Sequence, residues 1–325
     1  MSEPSFSIVM PAFNSERTID SAIASAMGQT REEIELIVVD DGSTDSTPDR
    51  VSAWQARDPR VRSIQQPNRG PAAARNAALE IARGRLVGFL DSDDLWMPDY
   101  VAEVSTSLER RPDASFAYPD SWLFDERNAR IRKLTSLEHY DPLPDPEATA
   151  EDFLTHLARM NFVSNSSTCR RAALEAVGGF DEGLAAAEDW DLWLRLAADA
   201  GPGVRPGHPL IINCDRRGSF SKNQSLMWDA ISEVSQRVAA REDIPEATRS
   251  VARNAALEAE RGRERVGASG PLRLVRRLAA VKRQLDVTHL WWGDWRRQPP
   301  PEVASAFPAL AANYGKPASG AGKRA

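Results

Sequence analysis

Cysteine is nearly absent from this chain: Cys169 and Cys214 are the only two in 325 residues. Two thiols cannot build a disulfide framework or a thiolate zinc site, and they suit a reducing cytosol. Long apolar runs are missing too. Nowhere do about 18 consecutive apolar residues occur, so no segment reads as a membrane span. The start, Met1-Ser2-Glu3-Pro4, has no basic region followed by an apolar stretch. A soluble, cytoplasmic protein is expected. There is no basic excess either: 41 Lys and Arg against 47 Asp and Glu give a formal net charge of -6. With basic residues concentrated only near the C-terminus, nucleic acid is not an expected partner. The phosphate-cradling motifs G-x-x-x-x-G-K-[ST] and, after a strand, G-x-G-x-x-G are not found.

What is present is the composition of a globular protein with a sizeable core, 42% apolar and with 9 Trp. The length suits one large domain with a smaller helical appendage. Short apolar runs at Phe6 to Met10, Ile34 to Val39, Val61 to Gln65, Leu86 to Leu90 and Ser115 to Tyr118 alternate with helical patterns. That alternation predicts βαβ units and a doubly wound, mainly parallel α/β sheet. Asn14 is a candidate cap for the helix carrying Ile19, Ala22, Ile23, Ala26 and Met27, and Thr47-Pro48 reads as an N-cap followed by Pro at N1. The nucleotide-binding half is expected over residues 1–120 and an α+β completion over 121–225. A helical extension follows over 226–297, and then a poorly ordered tail rich in Pro, Gly, Ala and Ser over 298–325.

Two apolar strands run into carboxylates. Ile37-Val38-Val39 leads to Asp40-Asp41-Gly42-Ser43-Thr44-Asp45, and Val87-Gly88-Phe89-Leu90 leads to Asp91-Ser92-Asp93-Asp94. In open α/β sheets ligands lie beyond the carboxyl ends of strands, so both clusters are expected at one crevice. Gathered carboxylates repel one another unless a cation or hydrogen-bond donors neutralise them. All-oxygen ligation points to a hard divalent ion, Mn2+ or Mg2+, with positions left for substrate phosphates. An Asx-rich turn and a solvated loop are the structural alternatives for the two clusters.

Five motifs then appear in register: Pro11-Ala12-Phe13-Asn14, Asp40 to Asp45, Asn68-Arg69-Gly70 with Ala74-Arg75-Asn76, Asp91 to Asp94, and Glu188-Asp189-Trp190-Asp191-Leu192-Trp193. In this order they resemble the family 2 glycosyltransferases over roughly residues 5–225. The resemblance implies a GT-A-type, Rossmann-like fold. It also implies inverting transfer of a sugar from a nucleoside-diphosphate sugar, UDP-sugar favoured, to an acceptor hydroxyl in polysaccharide, glycolipid or other cell-surface glycan synthesis. Pro11, Ala12 and Phe13 resemble the segment lining the nucleobase, with Glu16 the acid beside it and Asp41 the base-recognising carboxylate. Gly70 and Arg75 fall in a stretch similar to that near the nucleotide, and packing for Phe13 and a surface ion pair for Arg75 are the alternatives. Asp91 and Ser92 resemble the ribose-side part of the D-x-D element, and Asp93 the ligand of Mn2+ or Mg2+. Gly178-Gly179-Phe180-Asp181-Glu182 is similar to the acceptor-side turn, a plain helix stop being the alternative.

Glu188 and Asp189 resemble the catalytic acid pair, with Asp189 as the base that takes the acceptor proton. Capping of the following helix is its structural alternative, and Asp191, with Arg195 four residues on, is the second candidate. Trp96, Trp190 and Trp193 are candidates for stacking on sugar faces or for the core. Arg216 to Lys222 could hold the leaving diphosphate, although Cys214-Asp215-Arg216-Arg217 departs from the Tyr-Arg and His that many relatives carry there. The stretch 272–285, with Leu274, Leu278, Val281 and Leu285 in line among arginines, is a candidate for peripheral contact at the inner membrane face, or for a helix packed on the body. The implied partners are a nucleotide-sugar donor and a glycan or lipid-linked acceptor. The competing readings are an Asp-x-Asp phosphotransferase and a nucleotide-sugar or carbohydrate-binding module without turnover.

Overall fold

The computed structural model describes residues 4–125, 130–134, 149–215, 223–267 and 301–307. Strands β1 (Phe6–Ala12), β2 (Ile34–Asp40), β3 (Val61–Gln65) and β4 (Leu86–Phe89) alternate with helices α1 (Ile19–Met27), α2 (Thr47–Gln55) and α3 (Pro71–Leu79). Then come β5 (Leu95–Trp96), α4 (Tyr100–Arg110), β6 (Phe116–Ala117), β7 (Asp120–Asp125) and β8 (Arg130–Leu134). The second half continues with α5 (Ala150–Arg159), β9 (Thr168–Arg170), α6 (Arg171–Val177), α7 (Glu188–Asp199), β10 (Gly203–Val204) and β11 (Pro209–Asp215). Helices α8 (Gln224–Ala240), α9 (Glu246–Gly267) and α10 (Pro301–Ala306) follow.

A seven-stranded sheet, ordered β10-β6-β9-β4-β1-β2-β3, forms the centre. Its neighbours run parallel except around β9, which is antiparallel to both β4 and β6. The β-branched run of β2 is buried at all seven positions, as a strand covered on both faces requires. Alternate side chains feed two cores. Val9, Ile37 and Val39 pack under α3 and α7, whereas Ile8, Met10, Leu36 and Val38 pack under α1 and α4. On α3 the inward positions are Ala72, Ala74 and Ala78, small enough to bring that helix close to the sheet. The result is the doubly wound α/β arrangement expected, built on a large, mostly parallel sheet.

Register places the site. Ala12 pairs with Asp40, and Asp40 with Gln65, so β1, β2 and β3 end level with one another. A second sheet, β5-β11-β7-β8, covers the end of β4. There the Cys214 N–H donates to Asp94 Oδ1 at 2.9 Å.

Several expectations need correction. Asn14 caps no helix: its φ is 50°, the cap residue of α1 is Thr18, and Asn14 Oδ1 instead accepts from the Thr44 N–H at 2.8 Å. The cap of α2 is Ser46, one residue before the expected Thr47. Of the two readings of Trp96, Trp190 and Trp193, the core is the one borne out, all three being buried. Trp96 stacks on Tyr100 at 3.7 Å between ring centres, Trp193 lies on Phe116 at 5.4 Å, and Trp190 Nε1 donates to the Leu157 carbonyl. Within the helical extension expected over 226–297, the described residues hold two helices, α8 and α9, separated ahead of Pro245. Within the stretch expected to be a loose tail, α10 inserts a fully buried Val303 into the α1-side core. Residues 272–285, Arg216 to Lys222 and Trp291, Trp292 and Trp295 lie outside the described residues. Among the described residues no helix is long and apolar enough to cross a membrane.

Candidate active site

The loops after β1 and β2 are tied into one wall. Ser43 Oγ accepts from the Asn14 N–H and Thr47 Oγ1 from the Ser15 N–H. Glu16 accepts from both the N–H and the hydroxyl of Ser46, which holds its carboxyl below the usual range. Asp41 is buried, and its oxygens take Gln66 Nε2 at 2.8 Å, the Arg69 N–H at 2.9 Å and the Gly70 N–H at 2.8 Å. A carboxylate has about four acceptor positions, so one remains for a ligand donor. Gly70 needs its φ of 88° to start α3 while turning its N–H to Asp41. Phe13 stands beside this wall, 49% exposed. An aromatic ring left in water at a strand end has a face ready for a planar base.

The second cluster follows the end of β4. Ser92 Oγ meets Ser15 Oγ at 2.7 Å, which joins the ends of β4 and β1. Carboxylate oxygens of Asp91, Asp93 and Asp94 gather within 4.8 Å of one another. Asp91 already accepts from Arg75 Nη2 at 2.9 Å and from Asn165 Nδ2. Its charge is therefore met by protein donors, and the all-oxygen cluster of Asp91, Asp93 and Asp94 has the chemistry that a hard divalent ion takes.

Arg75 is buried among charges instead of lying on the surface. Its Nη1 donates to Glu188 Oε1 at 2.7 Å while Nη2 holds Asp91, and the guanidinium sits 5.3 Å from the Phe180 ring centre. Burial works against its charge, but Asp91 and Glu188 outweigh it and raise its pKa. The donor-side cluster and the acid pair are thereby joined through one side chain.

The acid pair opens α7. Ala187 before it takes the left-handed conformation, φ 56° and ψ 24°, a strained choice for a residue with a Cβ. Asp189 Oδ1 accepts from the Trp190 N–H at 2.8 Å and Oδ2 from Asn161 Nδ2 at 3.2 Å. Burial, then the neighbouring Glu188 charge, pushes the Asp189 carboxyl up to about 6. That value suits a group that must accept a proton near neutrality. Asp191, the second candidate, is buried and paired with Arg195 at 2.8 Å, with Arg237 of α8 beyond. It fastens α7 to α8.

The pair Gly178 and Gly179 ends α6, donating back to Glu175 and Leu174 with φ values of 79° and 71°. Asp181 and Glu182 then tie this turn to Arg237 and Arg69. Sequence reading missed Asn161 and Asn165, which reach Asp189 and Asp91 from the loop between α5 and β9. The signal there, Asn161-Phe162-Val163 followed by the polar run Ser164 to Ser167 entering a strand, is one that any loop can show.

The model of Glycosyl transferase family 2 matches residues 7–178. The chondroitin synthase of Escherichia coli is 33% identical over 199 residues, 61% of this chain but only 27% of that protein's length. Among solved structures, S. aureus TarS 1-349 in complex with UDP-GlcNAc superposes with a TM-score of 0.62 at 21% identity, covering 79% of this chain and 72% of TarS 1-349. The mannosyltransferase PcManGT from Pyrobaculum calidifontis, in complex with GDP-Man and Mn2+, gives a TM-score of 0.61 at 16% identity, covering 97% and 88%. At such identities the likeness is one of fold.

Proposed function

Because the chain belongs to glycosyl transferase family 2, we propose that it moves a sugar from a nucleoside-diphosphate sugar to an acceptor hydroxyl, inverting the anomeric carbon. The observation that carries this reading is Asp189, a partly buried carboxylate raised to about 6, linked through Glu188 and Arg75 to the Asp91, Asp93 and Asp94 cluster. A proton acceptor and an oxygen-rich diphosphate site at one crevice are the two things a single displacement needs.

Phe13 packs on the base while Asp41 offers its remaining acceptor position to a base N–H; a UDP-sugar is the favoured donor. Pro11, Ala12, Glu16 and Gly70 frame that end, and Asp91 and Ser92 serve the ribose side. Asp93 would hold Mn2+ or Mg2+, which when bound neutralises charge on the departing nucleoside diphosphate. At the other end, Asp189 takes the acceptor hydroxyl proton at a carboxylate oxygen, and Glu188, held by Arg75, keeps the pair in place. The acceptor is a growing glycan or a lipid-linked sugar, met at the cytoplasmic side of the membrane.

Two features weigh against the competing readings. Both oxygens of Asp91 carry donors, which ill suits a phosphoryl nucleophile. A raised base at the end of the crevice has no use in a module that only binds. The test is a panel of UDP- and GDP-sugars with Mn2+, reading nucleoside diphosphate release with wild type and Asp189→Asn. Donor-dependent release by the wild type alone supports the reading, and equal release by Asp189→Asn reassigns the base.

A further inference from the structure

Asp189 stands in the first turn of α7, where only one of its oxygens is held by its own helix, through the Trp190 N–H. The other oxygen is held from outside. Asn161, in the loop after α5, donates Nδ2 to Asp189 Oδ2 at 3.2 Å. Its amide cannot turn over freely, because the Asn161 oxygen accepts the Val163 N–H at 3.1 Å. A backbone donor on one side therefore obliges the amide to present its own N–H to Asp189. Helix α5, which leads into this loop, is itself fastened to α7, where Trp190 Nε1 donates to the Leu157 carbonyl at 2.8 Å in the core. The separation of base and loop is thus set by the Asn161 contact and by this anchor at the end of α5.

We infer that Asn161 is a positioning residue for the proposed base: it orients the Asp189 carboxylate and favours its ionised form through a one-way amide donor. The inference rests on the reading of Asp189 as base. The remaining charged groups around Asp189 are Glu188 on the same helix, Arg75 on α3 and Asp91 at the end of β4. Glu188 and Asp91 oppose ionisation and Arg75 favours it, so a donor supplied by a neutral side chain adds support without introducing another charge. An uncharged amide also leaves each Asp189 oxygen a second lone pair for an acceptor hydroxyl. A Lys in its place would clamp the carboxylate and lower its basicity.

The isosteric variant is Asn161→Asp, still able to accept from the Val163 N–H. It removes only the donor to Asp189 and adds a like charge. Asn161→Ala removes the contact altogether. In the full chain, the side-chain carboxyl carbon of Asp189 is followed by NMR against pH, its resonance assigned by its loss in Asp189→Asn. The wild-type midpoint is expected near the raised value of about 6. Asn161→Ala moves it upward by several tenths of a unit, and Asn161→Asp gives two coupled steps whose upper midpoint lies about one unit or more above wild type. Wild-type midpoints in both variants overturn the role of Asn161. If the midpoints move while Asp189→Asn retains full donor turnover, the base assignment falls and the Asn161 contact stands. The added like charge raises the midpoint in Asn161→Asp by itself, so the upward shift in Asn161→Ala decides, and a role confined to the Val163 N–H predicts none there.

Discussion

Arg75 and Glu188 meet at 2.7 Å, and the same guanidinium holds Asp91 at 2.9 Å. The surface ion pair that sequence offered for Arg75 is a buried cross-link between Asp91 and Glu188. Breaking a buried ion pair from one side leaves the partner charges uncompensated, at a cost of about 3–5 kcal/mol. Arg75→Ala is expected to lower stability by about that amount in chemical denaturation. Arg75→Lys, with one compact cation in place of a two-ended fork, should recover part of the stability but little of the turnover. Wild-type unfolding of Arg75→Ala would mean that water reaches the triad and compensates it.

The alternating apolar runs and the five motifs already located β1 to β4 and the two acidic loops, because strand period and strand-end chemistry are local properties. What the sequence could not disclose was which donor answers each carboxylate. Asn161 and Asn165 reach Asp189 and Asp91 through tertiary packing of an unremarkable polar loop. Arg75 sits on a helix whose Ala-rich face gives no sign that its one cation points inward between two acids. The tryptophans were ambiguous for a related reason: spacing on α7 marks Trp190 and Trp193 as one face, but only the sheet beneath decides that the face is core.

Asp93 is the proposed metal ligand in the cluster it forms with Asp91 and Asp94. Asp93→Asn should abolish the Mn2+-dependent part of UDP or GDP binding in calorimetry and leave folding intact. Chelation of the wild type should give the same loss, reversed by added Mn2+. Unchanged affinity in Asp93→Asn would remove Asp93 from the metal site.

Far from the crevice, Glu35 at the start of β2 is buried and serves as an anion for two arginines. Burial raises its pKa, but Arg83, through side chain and backbone, then Arg62 and Ser7 outweigh it and bring the value below normal. For a carboxylate whose folded pKa is depressed, the stabilisation is complete above the unfolded value and is lost as pH falls through the folded one. Glu35→Gln should therefore cost about 1–3 kcal/mol at pH 7. The gap between variant and wild type should close as the medium is taken below about pH 4. A gap independent of pH would assign the effect to packing alone.

Asp189 carries the opposite sign. Its folded pKa, about 6, lies above the ordinary carboxyl value of 3.8, so the folded state binds a proton more tightly than the unfolded chain. Folding stability must then fall as pH rises between those two values, and above the upper one the full cost of a charged Asp189 is present. Asp189→Asn removes that cost. The variant is expected to be more stable than wild type at pH 7.5, by about 1–2 kcal/mol, and no more stable near pH 3.5. Turnover should move the other way. Loss of a general base costs on the order of 10²–10⁴ in rate while leaving donor affinity within a few-fold. In the wild type, the rate should climb with pH through about 6, as Asp189 loses its proton. A variant that gains stability and loses transfer together would identify Asp189 as a charge that the fold tolerates only for the reaction. One that loses both would mark it as a support of the first turn of α7 and nothing more.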